Sequence, residues 1–119
     1  MKYLLLLNRV DNELPEPGTP ASDLLFVEYG KAVQAMAQAG VLIDCAPLTA
    51  TSSATTIRVR DGETLITDGP AAELREQVGG YTLINCTDLD EAIKWAALIP
   101  AARDASVEIR AVVDTGRNG

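Results

Sequence analysis

The sequence predicts an α+β domain, a split βαβ arrangement with an inserted β-hairpin. Three observations lead there. The chain's patterns follow the order strand–helix–strand–hairpin–strand–helix–strand. An Asp-Gly pair, Asp61-Gly62, sits between two alternating runs. Two helical stripes, each preceded by a capping residue, separate the remaining strands.

The first strand covers Lys2 to Asn8, with Leu4 and Leu6 on one face and Tyr3, Leu5 and Leu7 on the other. Residues 10–19 carry Asp, Asn, Glu and two prolines, which extend neither neighbour and so form a loop. Thr19-Pro20 supplies an N-cap and a first helical residue, and Asp23 adds negative charge to the first turn. The helix runs from about Pro20 to Ala39, with Phe26, Tyr29, Val33 and Met36 as its apolar stripe. Gly40 ends it, and Val41 to Leu48 forms the second strand.

Thr55 to Arg60 and Glu63 to Thr67 alternate polar and apolar residues about a type I′ turn. Two turn residues fix the register: Arg60 opposite Glu63, Val59 opposite Thr64, Arg58 opposite Leu65, Ile57 opposite Ile66. Asp68-Gly69-Pro70 turns into a short helical stretch, Ala71 to Gln77, which Gly79-Gly80 ends. Tyr81 to Thr87 is a further strand. Thr87 and Asp90 have capping-box spacing ahead of a second helix, Asp88 to Ile99, whose buried face is Leu89, Ile93 and Ala96. Pro100 stops it, Val107 to Val113 is the last strand, and the tail from Asp114 is loose.

The 119 residues fit one domain spanning 1–119. Met1 to Leu7 imitates the start of a signal peptide, but the apolar run is short and Asn8-Arg9 closes it, so a cytoplasmic location is expected. A net charge of −7 repels phosphate backbones and disfavours nucleic acid as a partner; no apolar run is long enough for a membrane helix. The chain has no histidine, which excludes Ser-His-Asp and Cys-His catalysis and any His-containing zinc site. Cys45 and Cys86 read as two small buried hydrophobes. No metal, nucleotide or flavin signature is present, and no cofactor is expected. Two helices cover only one face of the sheet, while the first strand and the Tyr81–Ile84 segment are apolar on both faces. A second copy packing sheet to sheet covers the remainder, so a homodimer is expected.

Several segments together resemble a known family. They are Thr55 to Gly62, Thr67-Asp68-Gly69-Pro70, Glu73, Glu76-Gln77, Gly79-Gly80-Tyr81, Leu83-Ile84 and Asp88 to Ala92. With Tyr29, Ala39 to Leu42 and Val107 to Arg110, they resemble YCII-related proteins of the DGPF type over nearly the whole chain. The resemblance implies a ferredoxin-like fold that dimerises as an α+β barrel. It implies no settled activity: some members of the wider group are linked to breakdown of small aromatic or lactone compounds, with a His–Asp pair suggested as their active site. DGPF-type members are often encoded beside extracytoplasmic-function sigma factors. This chain has Ala71 where the family usually carries phenylalanine, and it lacks the histidine of that pair.

Two functional readings follow. In the first, a cleft takes a small organic molecule, Asp68 acts as general acid or base, Arg58 or Arg60 steadies a developing anion, and Tyr29 or Tyr81 donates a hydrogen bond. In the second, the chain is a non-catalytic module that binds a ligand or a protein partner, such as a sigma factor. Each candidate also has a structural reading: Asp68 as a turn and cap residue, the arginines as a solvated hairpin face, the tyrosines as core packing.

Overall fold

A computed structural model of the chain describes residues 1–10 and 14–116. Of the predicted loop 10–19, Asp11, Asn12 and Glu13 lie outside the described residues. The elements are β1 (Lys2–Arg9), α1 (Pro20–Gln38), β2 (Leu42–Pro47), β3 (Thr55–Arg60), β4 (Glu63–Asp68), β5 (Gln77–Asn85), α2 (Leu89–Ala97), α3 (Ala101–Asp104) and β6 (Ser106–Ala111). A 3₁₀ turn at Thr51–Ser53 leads from β2 into the hairpin.

Four strands form one antiparallel sheet in the order β2-β5-β1-β6, the ferredoxin-like arrangement. The hairpin β3-β4 forms a separate two-stranded ribbon. The alternation of β1 assigns the two faces. Tyr3 and Leu5 are buried against the helices, opposite Ile84 and Thr82 of β5 and Ala111 and Ile109 of β6. Leu4 and Leu6 are half-buried on the other face, opposite Leu83 and Tyr81. Among the described residues, the helices pack on the opposite face, that of Tyr3 and Leu5.

The core joins Tyr3, Leu5 and Ile84 of the sheet to Met36 of α1, Ala92 and Ala96 of α2, and Ile99. Leu5, Met36 and Ile84 are each 0% exposed. Cutting such a side chain back to Ala costs about 2–5 kcal/mol.

Both long helices begin on side-chain caps. Thr19 Oγ1 accepts from Ser22 N at 3.2 Å. In α2 the cap is Asp88 rather than Thr87: its Oδ1 accepts from Glu91 N at 2.9 Å, while Glu91 Oε1 accepts from Thr87 N at 3.1 Å. The cap therefore sits one residue later than predicted, and the Glu91 carboxylate reaches back to the N–H of Thr87, the residue before the cap. The buried residues of α2 are Ala92 and Ala96; Ala96 is as expected, while Leu89 and Ile93 are about half exposed.

On α1 the buried row is Ala32 and Met36, with Leu25 and Tyr29 half-buried, and Phe26 is 80% exposed. Phe26 is thus not part of the packed stripe. The helix approaches the sheet closely at β2 and stands off elsewhere, over a cavity described below.

The hairpin has the predicted register in all four pairs, with Asp61 at φ 52° and Gly62 at φ 77°, as a type I′ turn requires. The short helix expected over Ala71 to Gln77 does not form. Gln77 belongs to β5, and its amide donates to the main-chain oxygens of Ala72 and Leu74 at 3.0 and 3.1 Å, holding the segment as a loop. Gly79-Gly80 are buried inside β5 instead of ending a helix. A Cβ on Gly80 would come within 3.0 Å of Ala46 O, so the glycine permits the close approach of β2.

Candidate functional site

The row of side chains that β1 turns toward the helices, Tyr3, Leu5 and Leu7, continues to Arg9. Between Leu7 and Asn8 the β1-β5 register slips: Leu7 faces Gly80, Asn8 faces Val78, and Gly79 is left over as a bulge. The stem of Arg9 lies against this glycine. A Cβ there would stand 2.5 Å from Arg9 Cδ, so only glycine leaves room for the arginine in this position. Its guanidinium donates to Leu48 O at 3.4 Å.

Arg9 is one of the residues lining a cavity of about 480 Å³ between α1 and the sheet. That volume falls within the range of small-molecule sites, roughly 300–1,000 Å³. Its body is apolar, walled by Leu7, Leu25, Val33, Met36 and Ile99. Tyr29, Thr82 and Cys45 add a hydroxyl or thiol each, and Cys45 is half-buried while Cys86 is buried. A second cavity, of about 410 Å³, adjoins the first and shares Asn8, Arg9, Leu25 and Tyr29 with it. This second chamber differs in charge, because Glu28 and Asp104 line it. Glu28 is ion-paired with Arg103.

Tyr29 stands at the junction of the two chambers. Burial pushes its hydroxyl above the ordinary phenol range, and the nearby Asp104 carboxylate adds to the shift. A main-chain hydrogen bond at Ala101 and the positive charges of Arg9 and Arg103 act in the opposite direction.

The other predicted site residues are distributed elsewhere. Tyr81 borders the larger cavity through its place in β5, but its register sets it with Leu6 and Ala46 on the open face. There its hydroxyl donates to Asp44 Oδ2 at 2.8 Å, which is the main reason its pKa is raised. Arg58, Arg60 and Asp68 belong to the hairpin and line neither cavity. Arg58 donates to Ala71 O at 3.4 Å and Arg60 to Val59 O at 2.9 Å. Asp68 is exposed at the end of β4, opposite Thr55. The turn that follows is fixed by Gly69 N donating to Ala54 O at 2.6 Å and Thr56 Oγ1 donating to Gly69 O at 2.7 Å.

The family model for the YCII-related domain covers residues 1–115. The chain belongs to the YCII-related family. It is also 43% identical over 75 residues to a protein of Rhizobium meliloti (strain 1021) described as uncharacterized. That match takes in 61% of this chain, which spans about 60% of the relative's length.

Within this YCII-related domain, the cavity residue that sequence reading passed over is Arg9. Closing the first strand at Asn8 left Arg9 outside it. The signal was available in the alternation Tyr3, Leu5, Leu7, whose next member is Arg9. Among the described residues no group of three His, Cys, Asp or Glu side chains is gathered as a metal site. No helix among them is long and apolar enough to cross a membrane.

Proposed function

We propose that this YCII-related domain binds a small, largely apolar organic molecule in the cleft between α1 and the sheet. The observation that carries this reading is the 480 Å³ cavity, whose lining is mostly apolar with a few polar side chains such as Tyr29, Thr82 and Cys45. An apolar wall of this extent left in contact with water is unfavourable, and a largely apolar ligand would relieve it.

Binding without catalysis is the better-supported form. Acid–base chemistry in the cleft needs a carboxylate, lysine or tyrosine in reach of the ligand's proton. The family-motif aspartate, Asp68, is on the hairpin, and Tyr29 has a hydroxyl biased toward its neutral, hydrogen-bond-donating form. Asp68 enters the chemistry only where a second copy of the chain carries it to a cleft.

The molecule acts as a homodimer in this reading, the two sheets meeting through their helix-free faces. Supporting it are Leu4, Leu6 and Leu83 on that face, and a hairpin whose Ile57, Val59 and Ile66 are 59–69% exposed. A lone two-stranded hairpin is marginally stable in water, and a second copy offers its apolar side a surface. A regulatory module coupling ligand to a protein partner is compatible with the same cleft.

The test is native mass spectrometry of the freshly purified chain, with Val33→Phe as control. We expect a small molecule retained by the wild type and absent from the variant, whose added ring fills the cavity. An equal load in both would move the ligand out of the cleft.

A further inference from the structure

We propose that the Thr82 hydroxyl is the recognition point of the cleft, and that its ligand is an apolar body carrying a neutral oxygen, such as a carbonyl, that hydrogen-bonds there. This deepens, and rests on, the reading that the cleft binds a small molecule. The first ground is a polar group left unanswered. Thr82 is 2% exposed and lines the larger cavity. Among the described residues its hydroxyl makes no hydrogen bond. No side-chain oxygen or nitrogen among them is sealed in the interior without a partner, so this hydroxyl opens into the cavity. A ligand with no polar atom would cover the hydroxyl and leave it unpaired, which costs its full desolvation. A ligand that brings an oxygen supplies the missing partner.

The second ground is position. The strand register sets Thr82 between Leu5 of β1 and Cys45 of β2, on the face turned toward the helices. Leu5 and Ile84 on that face, and Met36 of α1 on the cavity wall, are each 0% exposed. A charge brought to this spot would exchange water for apolar neighbours, so the oxygen is a neutral one. The third ground is the neighbouring thiol. Cys45 is half-buried, lines the same cavity and stands directly opposite Thr82. Side chains so paired have Cβ atoms about 5 Å apart. A ligand held by Thr82 therefore covers Cys45, which makes the thiol a reporter of where the ligand sits.

The experiment is calorimetric titration with two probes of one shape: 2-acetylnaphthalene, whose arm ends in a carbonyl, and 2-isopropenylnaphthalene, whose arm ends in a methylene. Thr82→Val exchanges the hydroxyl for a methyl group. We expect the ratio of ketone to hydrocarbon affinity to fall about three- to tenfold in the variant, the loss of a single neutral hydrogen bond. The empty variant should melt no lower than the wild type, because no bond within the protein is lost. If Thr82→Val does not fold, Thr82→Ala removes the same hydroxyl and the same ratio is read. In the wild type, saturating 2-acetylnaphthalene should slow the alkylation of Cys45 by iodoacetamide, as mass spectrometry would read, with buried Cys86 as internal control. An unchanged ratio in a folded variant, or Cys45 alkylated at full rate under saturating ketone, overturns the Thr82 assignment and leaves the cleft as a binding site. A lower melting temperature for empty Thr82→Val gives the hydroxyl a structural partner and overturns it too. No binding by either probe overturns both readings.

Discussion

Three tyrosines, Cys86 and one glutamate set the pH behaviour at the scale of single residues; burial raises the Cys86 thiol above its ordinary 9.0, so its share of stability is also lost as pH rises. Burial raises the pKa of Tyr3 and Tyr29 above the ordinary 10.0, and the bond to Asp44 does the same for Tyr81. The folded state thus keeps phenolic protons that the unfolded chain begins to lose near pH 10, so this stability is intact below that pH and is lost as pH rises through the folded values. Glu91 has the opposite sign. Bonds from Trp95 Nε1 and Thr87 N hold its pKa below the ordinary 4.5, so its contribution is present above that pH and is lost as pH falls through the lower folded value. We expect a melting temperature that is flat from about pH 5 to about pH 9 and falls at both ends. Glu91→Gln should remove part of the acid limb and Tyr29→Phe part of the alkaline limb, as calorimetry would read. Limbs unchanged by either substitution would assign them to other groups.

Residue-scale legibility was uneven for a physical reason. Thr19, Asp61-Gly62 and Pro20 act on their own neighbours, and the structure uses each as its chemistry dictates. Arg9 and Gly79 act on each other across 70 positions of sequence through a bulge, which no local pattern announces.

At the scale of elements the hairpin is the clearest case. Its four-pair register was readable because a two-residue turn leaves one alignment open. The segment after it was not readable. Glu73 to Gln77 has helix-forming residues, but the Gln77 amide and the pairing of Gln77 with Arg9 draw the chain into β5. Tertiary pairing outweighed propensity there. A similar displacement moved the cap of α2 from Thr87 to Asp88.

The hairpin also carries Asp68, for which the element's position makes a prediction. Asp68 lines neither cavity, and the bonds fixing its turn run through Gly69, Ala54 and Thr56. Asp68→Asn should therefore leave the melting temperature, the oligomeric state and the affinity of the cleft for an apolar dye unchanged within error. A tenfold loss of affinity in Asp68→Asn would bring the hairpin into the site and support acid–base chemistry.

Over the whole molecule, the two faces of the sheet divide the work. The helix side holds the core and the cleft, and the far side holds Leu4, Leu6, Leu83 and the Tyr81–Asp44 bond. The described chain is flat, with extents of 47 × 45 × 18 Å, so the uncovered face is a large part of its surface. The double apolarity of the first strand was visible in sequence, since five consecutive apolar residues cannot all face one side. The cavity was not visible, because it depends on how far α1 stands from the sheet. If the open face joins two copies, Leu6→Arg should yield a folded monomer in light scattering at micromolar concentration, while Leu5→Arg, at the core, should unfold. A wild type that is itself a well-behaved monomer would contradict the sheet-to-sheet assembly.

The cleft is the central claim, and fluorescence titration with 1-anilinonaphthalene-8-sulfonate, an apolar anion, tests it most directly. The account predicts saturable enhancement at one site per chain in the folded wild type. It also predicts the loss of that signal in Val33→Phe, with far-ultraviolet circular dichroism and melting temperature preserved. Enhancement that fails to saturate, or that survives intact in a folded Val33→Phe, would contradict it.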